Sequence, residues 1–110
     1  MKITNLTPHE VKVVAEDGTV IAAYPSEGSA RIAQINTPTG EIDGVPTCKV
    51  AYGEAQGLPA PEEGKAYVVS YITIATLRLN GSRTTDDLYY PTEQVRDAAG
   101  VIVGCRYLAQ

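Results

Sequence analysis

Glycine and proline recur along the whole chain, and their spacing leaves room only for short secondary-structure elements. Ten Gly and seven Pro are spread through 110 residues, and no linker separates two halves. Because both residue types interrupt helices and strands, this spacing favours short strands joined by tight turns. The length fits one domain, residues 1–110. We therefore predict a single α+β domain of mostly antiparallel β hairpins, with one short helix.

Two hairpins of the same design are predicted near the ends of the chain. Gly18 and Gly100 each stand where a left-handed residue would close a type I turn with a bulge. The four strands beside them carry many β-branched residues. They are predicted at residues 10–15, 19–24, 94–97 and 101–107.

The middle of the chain predicts further strands. Residues 30–35 alternate apolar and polar side chains, and Asp43-Gly44 is a strong hairpin turn signal before a returning strand at 45–52. Residues 57–64 form a loop that two prolines stiffen. Residues 66–69 are apolar throughout, which is typical of a central strand.

Residues 70–79 fit either a strand, by their β-branched content, or a helix. We favour a helix because Ser70 is a good N-cap and Asn80-Gly81 a good ending. Its apolar face would comprise Tyr71, Ile74, Ala75 and Leu79. The polar residues 80–87 would follow as a mobile or ligand-facing loop, and a short strand at 88–90 would end at Pro91.

Charge and hydropathy exclude several function classes. The net charge is −4, and an acidic chain argues against general binding to nucleic acid or to an anionic membrane. No apolar run has the length of a membrane span, and the first residues lack the apolar segment of a signal peptide. We therefore expect a cytoplasmic protein with no nucleic-acid or membrane partner.

The chain has two cysteines, Cys48 and Cys105, and one histidine, His9. Three such residues far apart in sequence do not make a zinc site, so we predict neither metal nor cofactor. We predict two small buried thiols. A disulfide would need an oxidising compartment, and a catalytic Cys–His pair is the least favoured alternative.

Five short motifs resemble a family of small uncharacterised proteins from bacteriophages, prophages and bacterial genomes. They cover nearly the whole chain, and the first is the N-terminal motif Asn-Leu-Thr-Pro-His. In this sequence the motifs are Asn5-Leu6-Thr7-Pro8-His9, Pro25-Ser26-Glu27-Gly28-Ser29-Ala30-Arg31, Tyr52-Gly53-Glu54 with Gly57-Leu58-Pro59 and Pro61, Tyr67-Val68-Val69-Ser70, and Val95-Arg96-Asp97 with Gly100, Ile102, Gly104 and Arg106.

The resemblance implies a phage origin and a role against host metabolism or host defence. Members of the family carry Arg-Thr-Asp-Leu before the penultimate strand. This chain has two residues more in that segment, residues 83–88, so either Asp86 or Asp87 takes the family position.

Three clusters are candidates for ligand contact. In the first, Pro8 presets the direction of His9, which could act with Thr7 as a ligand contact. The alternative is a structural turn in which Asn5 and Thr7 bond the backbone.

In the second cluster, Arg83 could hold a phosphate, and Asp86 or Asp87 a ribose hydroxyl. Tyr89 and Tyr90 could then stack on a base. An ordinary salt-bridged surface loop contains the same residue types, and that alternative stays open.

In the third cluster, Arg96 and Arg106 lie on the facing strands of the last hairpin. If they shared a face they would attract an anion between them, whereas the alternative is a weak surface bridge between Arg96 and Glu93.

The sequence contains neither a phosphate-loop motif nor a nucleophile elbow. We therefore expect a non-enzymatic binding protein that sequesters a small anionic ligand, such as a nucleotide immune signal. One alternative is a module that docks on and inhibits a host enzyme through a strand edge. A small hydrolase centred on His9 is the least favoured. Short edge strands also predict a homo-oligomer.

Overall fold

The computed structural model describes residues 2–110 and confirms the α+β class, with one helix among mostly antiparallel hairpins. Within those residues the elements are β1 (Lys2–Asn5), β2 (Val11–Val14), β3 (Val20–Tyr24), β4 (Arg31–Ile42), β5 (Val45–Gln56), β6 (Lys65–Val68), α1 (Tyr71–Asn80), β7 (Leu88–Arg96) and β8 (Ile102–Ala109).

Six of the strands form one sheet in the order β1-β6-β7-β8-β2-β3, and β4 pairs with β5 in a separate two-stranded sheet. The hairpins β2–β3, β4–β5 and β7–β8 are antiparallel. The pairs β1–β6, β6–β7 and β2–β8 are parallel, so the large sheet is mixed. The predicted central position of the 66–69 segment is confirmed, because β6 lies between β1 and β7.

The two predicted turns have the same geometry. Gly18 has φ +88° and donates its N–H to Ala15 O, while Gly100 has φ +80° and donates to Asp97 O. In the first turn Ala15 also donates its N–H to Thr19 O, and in the second turn Asp97 donates its N–H to Val101 O. Both glycines therefore take the left-handed conformation that a side chain would disfavour.

The prediction that a strand ends at Pro91 is wrong. β7 runs from Leu88 through Pro91 to Arg96, and Pro91 lies opposite Leu108 of β8. On the other side of β7, pairing with β6 stops at Tyr89. The proline therefore interrupts no hydrogen bond to β6, which is the position in which a strand tolerates it.

The helix α1 confirms the predicted helix, although its buried face differs from the predicted one. Thr73, Ile74 and Leu77 are buried, whereas Tyr71 and Leu79 are exposed, Leu79 to 91%. Thr73 is compatible with burial because its hydroxyl lies 2.9 Å from Ser70 Oγ. The buried stripe thus includes a polar residue, which hydrophobicity alone did not indicate.

The core lies mainly between α1 and one face of the large sheet. Its buried members are Leu6, Ala30, Tyr67, Val69, Ile74, Leu77 and Leu88. The opposite face carries a smaller cluster of Val11, Val68 and Cys105, because successive side chains of a strand point to opposite faces. No helix covers that second face in the part of the chain that the structure describes.

The β4–β5 hairpin extends away from this core, and we call it the arm (residues 31–56). Its strands have 12 residues each, beyond the predicted limits of 30–35 and 45–52, and most of their side chains are exposed. The radius of gyration is 16.9 Å, whereas a compact domain of about this size has one near 13 Å. The molecule is therefore a small body with a projecting ribbon.

The helix in residues 2–110 is too short to cross a membrane.

Candidate functional site

The segment between β1 and β2 is organised by the side chain of Asn5, which is fully buried. Its Nδ2 donates to His9 O at 2.7 Å and to Tyr24 O at 2.9 Å. Its Oδ1 accepts the Thr7 N–H at 2.9 Å and the Thr7 hydroxyl at 2.7 Å. Every polar atom of this amide is used, so the Asn-Leu-Thr-Pro-His segment forms the structural turn that the sequence left as an alternative.

This turn leaves Thr7 and His9 at the rim of a groove. The His9 side chain is exposed, since only its carbonyl oxygen serves the turn. Thr7 is half-buried, and its carbonyl oxygen accepts the Ser26 hydroxyl at 2.6 Å. The structure therefore brings together two of the predicted contact residues, and both face the same cavity.

The groove has a volume of about 350 Å³ and lies where β2, β7 and β8 meet. Its apolar lining residues are Val11, Pro91, Ile102, Gly104 and Cys105. Its polar lining residues are Thr7, His9, Glu10, Lys12 and Gln94. An apolar surface with a few polar groups around it is the usual composition of a small-molecule site, and the volume is within the range of such sites.

Close approach of β8 to β2 shapes the floor of the groove. A Cβ on Gly104 would come within 2.7 Å of Lys12 O, so only glycine lets the two strands approach this closely. The parallel pair Val13–Cys105 joins the strands at the same level, and Cys105 Sγ donates to Lys12 O at 3.4 Å. Burial raises the pKa of the Cys105 thiol, which therefore stays neutral as part of the floor.

Lys12 and Gln94 belong to this groove, and the sequence did not single them out. The nearest carboxylate to the Lys12 ammonium is Glu10 Oε1 at 3.5 Å, and both side chains are about half exposed. An ion pair with that exposure is weak, so it leaves the ammonium able to turn to an anionic ligand. The only sequence signal for Lys12 was its place in a predicted strand, and nothing local indicated that β2 lies beside β8.

Arg83 does not face this groove. Its guanidinium forms a bidentate ion pair with the Asp87 carboxylate, with N–O distances of 2.8 and 2.9 Å. It also donates to Pro59 O and Thr84 O, both at 2.8 Å. Asp86 is exposed, and its carbonyl oxygen accepts from Gln110. The bond to Pro59 O joins the 80–87 loop to the loop at residues 57–64. Arg83 therefore belongs to a salt-bridged loop, which was the alternative that the sequence left open.

Tyr89 and Tyr90 do not line the cavity beside Arg83. The cavity next to Arg83 is lined by Glu54, Ala55, Leu58, Leu77 and Ser82 and contains no tyrosine. The Tyr90 ring instead packs edge-to-face on Tyr71, with ring centres 5.0 Å apart. The carbonyl oxygen of Tyr89 accepts the N–H of Val69. The described contacts of Tyr90 and of the Tyr89 backbone are therefore with other residues of the fold rather than with Arg83.

Arg96 and Arg106 are also apart. Arg96 lies opposite Ile102, four residues from Arg106, which is about 13 Å along a strand. Arg96 donates to Gly100 O at 2.8 Å rather than to Glu93. Arg106 lies 3.6 Å from Glu16 and over the ring of Tyr107. The two guanidinium groups therefore do not converge on one anion.

The two cysteines are free thiols in different surroundings. Cys105 is buried as predicted, whereas the prediction is wrong for Cys48, which is exposed on β5. Its strand belongs to the projecting arm, where few neighbours could cover it. Among residues 2–110, no three His, Cys, Asp or Glu side chains lie close enough to hold a metal ion.

Comparisons of the chain with models of protein families, with curated proteins and with solved structures found no match. The chemistry of the groove is therefore inferred from its own residues.

Proposed function

We propose that this protein is a non-enzymatic binding protein that sequesters a small anionic ligand of the nucleotide type in the β2–β8 groove. The observation that supports this proposal is the convergence of Thr7, His9, Lys12 and Gln94 around one apolar floor. These four side chains come from two segments more than 80 positions apart in the sequence.

Each part of the groove suits one part of such a ligand. The apolar floor around Ile102 and Gly104 suits the face of a base. The Lys12 ammonium supplies a positive charge for a phosphate, and the His9 imidazole adds a hydrogen-bonding group beside it. The Gln94 amide and the Thr7 hydroxyl offer donors and acceptors for the polar edge of a base or for a sugar.

The resemblance to phage proteins supports a biological setting for this chemistry. A phage benefits if a nucleotide signal of host defence is bound and removed from solution, and such removal needs affinity without turnover. We therefore propose that the ligand is a nucleotide immune signal and that the protein acts by holding it.

The proposal is tested by thermal unfolding of the purified chain against a panel of linear and cyclic nucleotides. A ligand present at 100 times its dissociation constant stabilises the folded chain by about 2.7 kcal/mol. Lys12→Ala and Gln94→Ala are expected to reduce the shift, because each removes one polar contact. Lys49→Ala is the matched control, since Lys49 is an exposed lysine on the arm, outside the groove.

Two outcomes would contradict this assignment. The first is the absence of any shift with every nucleotide in the panel. The second is a shift that Lys12→Ala and Lys49→Ala reduce equally, because that result would place the ligand outside the groove.

A second candidate function is docking on a host enzyme through the edge of β3 around Val20 and Ile21, since the Tyr24 end of this edge is already bonded to Asn5. This strand ends the large sheet, and it exposes Val20 and Ile21, Ile21 to 66%. An unpaired edge with apolar side chains can accept a strand from another protein. Ile21→Lys should then abolish capture of a host protein that the unaltered chain retains. Equal capture by both chains would exclude the β3 edge.

A further inference from the structure

One face of the arm exposes apolar side chains that nothing in residues 2–110 covers. Ile35 pairs with Ala51 and Ile42 pairs with Val45. Ala51 and Val45 are six positions apart on β5 and therefore share a face, on which Lys49 lies between them. Ile35 and Ile42 are seven positions apart, and the irregular register between Pro38 and Gly40 places both of them on that face. Ile42 and Val45 lie at the tip of the arm and are 69% and 61% exposed. An isolated two-stranded ribbon of this kind is only marginally stable in water.

A cavity that matches this tip lies at the base of the arm, where the arm meets α1. It has a volume of about 430 Å³, and its apolar walls include Ile32, Tyr52 and Ile72. Tyr52 and Ile72 are both close to half exposed. Arg31 also lines this cavity and supplies a positive charge at its rim.

We propose that two copies of this chain bind through their arms, which lie antiparallel so that each tip enters the base cavity of the other copy. The tip offers Ile42 and Val45 to the apolar walls. Next to them in the chain, Glu41 and Asp43 bring carboxylates toward Arg31 of the partner subunit. Each chain carries both the tip and the cavity that receives it, as a twofold symmetric interface requires.

Charge selects the antiparallel arrangement. If the arms lay parallel, Arg31 would face Arg31 of the partner subunit, and the acidic tips would lie side by side. In the antiparallel arrangement Arg31 faces Glu41 of the partner subunit, and the twofold axis repeats this contact at the other end. Like charges that face each other across an interface disfavour the parallel form.

One face of the arm holds only every second residue of its two 12-residue strands. Together with the residues that line the base cavity, this face gives each chain about 20 contacting residues, near the lower end of the range for a standard protein–protein interface. The inference concerns a different surface from the nucleotide groove and does not depend on it.

The first experiment measures the mass of the full chain in solution by light scattering during gel filtration. We expect twice the chain mass of 11.7 kDa. The double variant Ile42→Ser, Val45→Ser should run as a single chain, because it removes the apolar tip. Leu79→Ser is the matched control and should stay dimeric, since Leu79 is 91% exposed at the end of α1, away from the tip and its cavity.

The second experiment exchanges the charges. Arg31→Glu alone places two acidic groups together, and Glu41→Arg alone places two basic groups together. Each should weaken self-association at least about tenfold. An equimolar mixture of the two variants restores both pairs and should form a dimer of one chain of each kind.

Three results would overturn the inference. One is an unaltered chain with the mass of a single copy. Another is a tip variant that remains a dimer. The third is a mixture of the two charge variants that associates no better than either variant alone.

Discussion

The body and the arm of this molecule are built from similar residues but are stabilised differently. In the body, α1 and the large sheet bury Ile74 and Leu88 completely. In the arm, the isoleucines Ile35 and Ile42 are more than half exposed. Backbone hydrogen bonds are plentiful in both regions, so the regions differ mainly in how much apolar surface is removed from water.

This difference shows which part of the fold a single chain can stabilise by burying apolar side chains, and which part it cannot. A two-stranded ribbon fixes its register through its turn and its ladder, yet it has no third layer to cover its side chains. The body has such a layer on one face, because α1 covers β6 and β7. The same residue type should therefore respond differently to substitution in the two regions, and the chain offers three matched pairs.

The isoleucine pair should show the largest effect. Ile74→Ala removes a fully buried side chain and leaves a cavity, which should lower the free energy of unfolding by about 2–5 kcal/mol. Ile35→Ala on the arm should change it by less than about 0.5 kcal/mol at low protein concentration. Urea unfolding measures both.

The concentration dependence of the Ile35 variant sharpens the comparison. If a second copy covers the arm, the cost of Ile35→Ala should grow as the protein concentration rises. Equal losses for Ile74→Ala and Ile35→Ala at every concentration would mean that the arm is as well packed as the body, contrary to its exposure.

The asparagine pair should show an intermediate effect. Asn5→Ala leaves the carbonyl oxygen of Tyr24 and the N–H of Thr7 without their partner, whereas His9 O keeps the Thr7 hydroxyl as a donor. Each lost partner costs about 1–3 kcal/mol when the group stays buried. Water can reach part of this turn, so we expect the free energy of unfolding to fall by about 2 kcal/mol in total. Asn36→Ala on the arm should be nearly neutral, because its bond from Gln34 is exposed.

This pair also tests the role of the N-terminal motif. If Asn5 acted only through a ligand, Asn5→Ala would abolish binding and leave the unfolding midpoint unchanged. A loss of stability in the absence of ligand is the expected result for a structural turn.

The elements that depend on nearby residues were predictable from the sequence. The turns at Gly18 and Gly100 and the end of α1 at Gly81 follow from the conformations that glycine adopts within a few residues. The helix at 70–79 follows from the residue types at Ser70 and at Asn80-Gly81, whereas the burial of Thr73 does not follow from the apolar pattern.

The candidate site was only partly predictable, because it depends on contacts between distant segments. Thr7 and His9 follow from their motif, whereas Lys12 and Gln94 join them only because β2 pairs with β8 in parallel. The side chain of Arg83 could serve a phosphate or a carboxylate equally well, and only the position of Asp87 and Pro59 shows which group it meets. Residue type alone does not contain that information.

The cysteine pair should show the smallest effect on stability and the clearest difference in reactivity. An aromatic disulfide reagent should modify Cys48 rapidly, because its thiol is exposed, and should reach Cys105 only when the body opens. The chain with Cys48→Ser isolates the second thiol, so its rate of modification reports that opening directly.

The pKa of Cys105 adds a dependence on pH with a defined sign. Because burial raises this pKa, the folded chain holds a proton that the unfolded chain releases at alkaline pH. The contribution to stability is therefore complete below the ordinary thiol pKa, and it is lost as the pH rises from that value through the raised one. In the Cys48→Ser chain, urea unfolding across this range should show a decline that Cys105→Ala reduces. If Cys105 were modified as fast as Cys48 in the folded protein, its burial beneath the groove would be wrong, and the floor of the proposed ligand site would be open to solvent.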